Sequence, residues 1–98
     1  LVAPPTVERA LRSLEEVSDA LVVGLPDERW GQIVAALIVP SALGRAQASS
    51  LSADALSEAL RDSLAPWEKV RRVLVVDALP TTTTGKPDPV AAARLFDE

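Results

Sequence analysis

The chain has 98 residues, of which 48% are hydrophobic, and carries a formal net charge of −4 at neutral pH. This length fits one small domain over residues 1–98, which can bury a core but cannot enclose a large substrate pocket. Cysteine, histidine and methionine are absent, which excludes zinc sites, thiol nucleophiles, disulfides and Ser–His pairs within the chain. The acidic balance argues against general nucleic-acid binding, which requires a strongly basic face.

No segment of the chain predicts membrane insertion or export. No apolar run approaches the roughly 20 residues that span a bilayer, and no signal peptide is visible. We therefore expect a cytoplasmic location. The chain begins at Leu1 without an initiator methionine, and we expect it to be part of a longer protein.

The first half of the chain predicts a helix followed by two strands. Prolines at residues 4–5 favour a first helical turn, and apolar residues then recur at helical spacing until the helix ends near residues 15–16. Two β-branched, apolar runs, residues 19–25 and 33–39, each stop at a proline and are expected to pair as antiparallel neighbours. The loop between them contains Trp30, which either covers the end of the sheet or stacks on a ligand.

The second half predicts a linker, a helix, a strand and a final helix. Residues 41–50 are small and aperiodic, which indicates a surface loop. Ser52 is expected to cap a helix that Pro66 ends, residues 73–76 form a buried strand, and residues 88–95 form a last helix. The order α-β-β-α-β-α predicts an α+β fold, in which a small three-stranded, mostly antiparallel sheet has helices packed on its faces.

Basic side chains cluster beside an aromatic residue just before the third strand. Trp67 is followed by Lys69, Arg71 and Arg72 in a protein that is acidic elsewhere. One interpretation is a strand edge guarded by charge. The other is an anion site with a stacking platform, which suits a nucleotide that carries phosphates.

A threonine-rich loop, residues 79–86, connects the third strand to the last helix and ends in Lys86. By composition alone it is either a solvated turn or a functional loop on a rigid scaffold. It is not a phosphate-binding P-loop, because Pro80 occupies a position that requires glycine and Pro87 one that requires serine or threonine.

Three patterns in correct order resemble the C-terminal domain of the adenylate-forming (AMP-binding) enzyme superfamily, in its acyl- and aryl-CoA synthetase branch. Residues 2–8 (V-A-P-P-T-V-E) resemble the family's helix entry I-x-P-x-E-V-E, with Thr6 in place of the usual glutamate. Residues 22–27 (V-V-G-L-P-D) and 30–32 (W-G-Q) resemble V-V-G-x-P-D and G-[EQ]. Residues 79–86 (L-P-T-T-T-T-G-K) resemble L-P-x-T-x-[ST]-G-K, which is the most specific match.

The resemblance implies an acid–CoA ligase that works in two half-reactions. A carboxylic acid and ATP give an acyl-adenylate and pyrophosphate, and the thiol of coenzyme A then displaces AMP. Lys86 matches the adenylation lysine of the family, and Thr82, Thr84 and Gly85 belong to the loop that lets it enter a cleft and withdraw. A large N-terminal domain, absent from this chain, is expected to hold most of the ATP, Mg²⁺ and acid sites, and the small domain to swing against it.

The same resemblance implies a set of coenzyme A contacts. Residues 67–71 match the place where such ligases carry an aromatic and basic residues toward coenzyme A. Two of these residues depart from the family's common [FY]-K-x-P, with Glu68 in place of lysine and Val70 in place of proline. The expected contacts are Trp30, Trp67, Lys69 and Arg71.

Two further hypotheses remain open from the sequence. The acceptor could be the phosphopantetheine of a carrier protein instead of coenzyme A, or the chain could be a non-catalytic α+β interaction module. The narrower expectation for the substrate is a small aryl acid such as o-succinylbenzoate. Alone, the chain is expected to have no ligase activity.

Overall fold

The computed structural model describes residues 4–29 and 31–97. None of the helices in this part of the chain is long and apolar enough to cross a membrane. Two short 3-10 turns lie at Ala48–Leu51 and Pro66–Glu68. The regular elements are helices α1 (Pro4–Arg12), α2 (Ala42–Ala46), α3 (Ala53–Ala59) and α4 (Pro89–Leu95), and strands β1 (Val17–Asp27), β2 (Gly31–Pro40) and β3 (Val70–Val75).

The three strands form one mixed sheet in the order β1-β2-β3. β1 and β2 pair antiparallel from Val17 opposite Pro40 to Asp27 opposite Gly31, as their hydrophobic runs predict. β3 pairs parallel to β2 over a shorter length. The parallel arrangement is possible because the long connection from β2 to β3 contains α3 and can cross over the sheet. The predicted α+β class and three-stranded sheet are confirmed.

Helices cover both faces of the sheet, so the central strand β2 is buried on each side. Alternate β2 residues point to opposite faces, with Val34, Ala36 and Ile38 on one side and Ala35 and Leu37 on the other. This explains why β2 reads as a continuous apolar run. The first face packs against α1 and α3 through Val7, Leu11, Leu56 and Leu60, and the second packs against α4 through Ala92 and Phe96.

Two predicted helix ends were wrong. The first helix ends at Arg12 and not near residues 15–16, because the chain turns at once into β1, with the Ser13 hydroxyl donating to the Ala10 carbonyl oxygen at 2.6 Å. Helix α3 ends at Ala59 and not at Pro66. The predicted helix was too long because the apolar spacing continues past Ala59 into a turn that still packs on the core.

The segment 41–50, predicted to be a loop without regular structure, contains α2 and the start of a 3-10 turn. Ser41 caps α2 by accepting from the Gly44 N–H at 3.2 Å and donates its own hydroxyl to the Glu15 carbonyl oxygen at 2.6 Å. Gly44 is buried against the Glu16 carbonyl oxygen, where a Cβ would collide. Small residues are therefore needed here for close packing and not for flexibility.

Side chains from α1 cover part of the free edge of β1. The Val22 N–H donates to Glu8 Oε2 at 2.8 Å, and Arg12 Nη2 donates to the Ala20 carbonyl oxygen at 3.0 Å. Arg12 Nε also lies 2.9 Å from Asp19 Oδ1. An exposed strand edge invites pairing with other chains, and this ion-paired network occupies its backbone groups.

Candidate functional site

The lysine loop is a closed hairpin. The Thr82 N–H donates to the Lys86 carbonyl oxygen at 2.7 Å, and the Asp88 N–H donates to the Pro80 carbonyl oxygen at 3.0 Å. These two bonds hold together the two segments that flank the tip, which also form an isolated antiparallel bridge between Thr81 and Pro87. The loop is therefore more ordered than its threonine-rich sequence indicates.

The hairpin tip has the geometry of a three-residue loop with a left-handed glycine. The Gly85 N–H donates to the Thr82 carbonyl oxygen at 2.9 Å, which closes the turn, and Gly85 has φ = +85°. Such a turn requires a residue that adopts positive φ at low cost, which explains the glycine before Lys86. The hydroxyl groups of Thr82 and Thr84 lie 3.0 Å apart and are hydrogen-bonded. The tip thus sets the backbone position of the lysine.

Both ends of the hairpin are anchored in the domain. Leu79 packs against the hydrophobic cluster under α4. Asp88 caps α4 by accepting from the Ala91 N–H at 3.1 Å, with Pro89 in the first turn, as predicted. The Lys86 residue is exposed, and no carboxylate in the described ranges lies within ion-pair distance of it. The arrangement presents an ammonium group without a local counter-charge.

Three of the four predicted coenzyme contacts meet in one surface groove of about 400 Å³, and the fourth, Trp30, lies outside the described residues. Trp67 is 66% exposed. The groove is lined by Trp67, Lys69 and Arg71 together with Pro66 and the first residues of β2, Gln32, Ile33 and Val34.

The turn that carries Trp67 is held by its neighbour Glu68. The Glu68 carboxylate accepts from the Ala65 N–H at 2.9 Å, and the Glu68 N–H donates to the Ala65 carbonyl oxygen at 2.9 Å. The departure from the family's usual lysine at this position therefore has a local structural role.

Arg72 lies away from the other basic residues of the cluster and contacts the core instead. Val70 pairs with Val34 and Arg72 with Ala35, so Arg71 is an extra residue on β3 and forms a bulge. The bulge turns Arg72 to the α4 side, where its guanidinium lies 5.2 Å from the Phe96 ring centroid and donates to the Phe96 carbonyl oxygen at 2.9 Å. Of the basic cluster, only Lys69 and Arg71 stay with the groove.

Two features of this surface were not singled out from the sequence. Gln32 faces the same groove as Trp67, and its only sequence signal is its place in the W-G-Q pattern. A second groove of about 650 Å³ shares Lys69 and Arg71 and extends to Arg61, which is paired with Glu58 at 2.6 Å.

The lysine hairpin and the groove lie beyond opposite ends of β3. Trp67 and Lys69 precede the strand, and the hairpin follows it. Six residues of strand span about 20 Å, so Lys86 and the groove cannot contact the same small group at once.

Comparison with known proteins identifies the family. The family model described as the AMP-binding enzyme C-terminal domain matches residues 6–86. The uncharacterized acyl–CoA ligase YhfT of Bacillus subtilis is 38% identical over 85 residues, which cover 87% of this chain and 16% of that protein. Other relatives are named as fatty-acid–CoA ligases and as a feruloyl-CoA synthase.

Solved structures share the fold over nearly the whole chain. The amide bond synthetase McbA of Marinactinospora thermotolerans has a TM-score of 0.84 at 33% identity, covering 97% of this chain and 18% of that one. The o-succinylbenzoate CoA synthetase of Bacillus subtilis has a TM-score of 0.78 at 26% identity, covering 93% and 17%. The chain spans about one sixth of the length of the curated relatives it matches. It belongs to the AMP-binding enzyme C-terminal domain family.

Proposed function

We propose that this chain is the C-terminal domain of an AMP-forming carboxylic acid–CoA ligase. The observation that supports this most directly is a lysine on an exposed, hydrogen-bonded hairpin with no acidic partner among the described residues. The family membership supports the same assignment. The whole activity requires the large N-terminal domain, which we propose as the partner that this domain contacts.

In the first half-reaction a carboxylate oxygen attacks the α-phosphorus of ATP, and pyrophosphate leaves. Both reacting groups are anionic, so bringing them together is opposed by charge repulsion. The Lys86 ammonium, placed between them, lowers that repulsion and stabilises the negative charge of the transition state. Lysine suits this role because it is a compact point charge on a long stem. We propose that Thr82, Thr84 and Gly85 act by holding the hairpin in shape.

In the second half-reaction the thiol sulfur of coenzyme A attacks the acyl carbonyl carbon, the carbon–oxygen bond to the phosphate breaks, and AMP leaves. The groove offers what the nucleotide end of coenzyme A needs: the exposed ring of Trp67 for the base and the cations Lys69 and Arg71 for phosphates. Trp30 is proposed as a second aromatic contact from the sequence resemblance alone.

The separation of the two sites suggests how they are used. Since they lie beyond opposite ends of β3, we propose that the whole domain turns between the half-reactions while the hairpin keeps its shape. We assign Mg²⁺ to the N-terminal domain, together with most of the ATP and acid sites. A cytoplasmic enzyme acting on a small aryl acid such as o-succinylbenzoate remains the narrower proposal.

A second candidate is an enzyme of the same family with another acceptor. The fold is shared with a protein named as an amide bond synthetase, so the acceptor need not be coenzyme A, and a carrier-protein phosphopantetheine is our alternative. The test uses the full-length protein with carboxylic acids, ATP and Mg²⁺. Acid-dependent pyrophosphate release followed by AMP release on addition of coenzyme A is expected. AMP release only with a carrier protein would favour the alternative, and no acid-dependent pyrophosphate release would contradict both.

A further inference from the structure

The side chain of Gln32 lies across Gly24 on the neighbouring strand. Gly24 pairs with Val34 and Gln32 pairs with Pro26, so the two residues are diagonal neighbours on one face of the sheet. A Cβ built on Gly24 would lie 2.5 Å from Gln32 Nε2 and 2.6 Å from Gln32 Cδ. Gly24 does not have positive φ. Its lack of a side chain therefore makes room for the glutamine and serves no special backbone conformation.

Gln32 also belongs to the lining of the groove that Trp67, Lys69 and Arg71 form, and its carboxamide lies over Gly24 on the β1 side of that lining. Gln32 is exposed, and its side chain makes no hydrogen bond within the part of the chain that the structure describes. A carboxamide has both a donor and an acceptor, and neither is used by residues 4–29 or 31–97. The lining of the groove therefore includes an aromatic ring, two cations and a glutamine whose carboxamide has no partner among the described residues.

We propose that Gln32 recognises the adenine base of the coenzyme and that Gly24 positions it to do so. The glutamine oxygen accepts from the exocyclic N6 amine while its nitrogen donates to a ring nitrogen beside it, the pairing that carboxamides make with adenine. Trp67 would supply the stacking face, which binds any base and cannot select one. This inference rests on the proposed coenzyme site and adds the group that selects adenine.

The test is an NMR titration of the chain with 3′,5′-ADP and with purine riboside 3′,5′-diphosphate, which lacks the N6 amine. The chain has two glutamines and no asparagine, so it has two side-chain NH₂ signals, and that of Gln47 serves as an internal control. The Gln32 NH₂ signal is expected to shift with 3′,5′-ADP while that of Gln47 does not. Binding of the purine analogue is expected to be about fivefold weaker, as for the loss of one hydrogen bond.

Variants separate recognition from packing. Gln32→Ala removes both proposed hydrogen bonds, so it is expected to weaken 3′,5′-ADP about 25-fold and to bind both nucleotides alike, while Gln47→Ala binds as the unmodified chain does. Gly24→Ala is expected to act as Gln32→Ala does. The double variant should be no weaker than Gln32→Ala, because the nearest atoms that the new methyl group would meet are gone.

The outcomes distinguish failure of this inference from failure of the coenzyme site. If backbone amides of Ile33 and Lys69 shift with 3′,5′-ADP but the Gln32 NH₂ does not, or if Gln32→Ala weakens both nucleotides equally, adenine recognition by Gln32 is overturned and the site stands. If no signal from the groove shifts with 3′,5′-ADP, the proposed coenzyme site fails and this inference fails with it.

Discussion

The backbone N–H of Thr82 and the carbonyl oxygen of Lys86 are joined by a 2.7 Å hydrogen bond. This bond fixes the position of the Lys86 backbone relative to the segment that enters the hairpin. The side chain is left exposed, and the flexible part of the lysine is reduced to its own four-carbon stem. Preorganisation of this kind is what charge stabilisation in a transition state requires.

The glycine before the lysine is predicted to matter for rate more than for stability. Gly85 has φ = +85°, where an alanine is disfavoured by about 1–2 kcal/mol. Because the hairpin is exposed, it is expected to relax away from this conformation and carry Lys86 with it. Gly85→Ala in the full-length protein should therefore slow acyl-adenylate formation about tenfold, measured by single-turnover pyrophosphate release.

Gly31→Ala is the matched control for that experiment. Gly31 has φ = +80°, and a Cβ there would also meet nothing within 4 Å, but it lies at the start of β2. Gly31→Ala therefore has the same backbone cost as Gly85→Ala, but the rate of acyl-adenylate formation should be unchanged. Equal slowing by both variants would show that the hairpin geometry has no special role.

Substitutions of two neighbouring cations of β3 are predicted to change different quantities, the KM for coenzyme A in one case and the free energy of unfolding in the other. Arg71→Ala should raise the KM for coenzyme A roughly tenfold through loss of a phosphate contact, with little change in ATP–pyrophosphate exchange. Arg72→Ala should leave that KM unchanged but lower the free energy of unfolding by about 1–2 kcal/mol, since it removes a cation–π contact and a hydrogen bond to Phe96. Steady-state kinetics and urea unfolding measure the two effects, and a raised KM in Arg72→Ala would contradict this division.

The two tryptophans test which acceptor the enzyme uses. Trp67→Ala and Trp30→Ala should each raise the KM for free coenzyme A, because a stacked base contributes about 1–3 kcal/mol. ATP–pyrophosphate exchange should be unaffected in both. If neither variant changes the dependence on coenzyme A, a carrier-protein acceptor becomes the better hypothesis.

The capped edge of β1 predicts a stability difference between two glutamates. The Glu8 side chain is 15% exposed and accepts from the Val22 N–H, so Glu8→Ala should cost about 2 kcal/mol, measured as a lower urea midpoint with an unchanged slope. Glu58→Ala removes an exposed pair with Arg61 and should cost less than about 0.5 kcal/mol. Similar midpoints for both variants would mean that the edge network does not stabilise the fold.

Local signals predicted the parts of this structure that depend on neighbouring residues. The antiparallel pairing of β1 with β2 follows from two apolar runs joined by a short loop, and the start of α4 follows from Asp88 and Pro89. The position of β3 does not follow from local signals, because the parallel pairing of Val34 with Val70 depends on how α3 crosses the sheet.

The candidate site, too, could be predicted from the sequence only in part. Lys86 is proposed from its motif, and the structure adds the hairpin that holds it. The presence of Trp67 and Gln32 in one groove was not predictable, because it depends on the pairing of β2 with β3. The departure of Arg72 from the cluster likewise depends on the bulge at Arg71, which periodicity alone cannot locate.

The central claim is that the two lysines of this chain, Lys69 and Lys86, serve different half-reactions, and the most direct measurement times each half-reaction separately in the full-length protein. In Lys86→Ala, acyl-adenylate formation should slow by about 10²–10³, while thioester formation from supplied acyl-adenylate and coenzyme A keeps nearly its normal rate. Lys69→Ala should show the reverse pattern through a weaker affinity for coenzyme A. Acyl-adenylate formation at the normal rate without the Lys86 ammonium, or an equal loss in both half-reactions, would contradict the account.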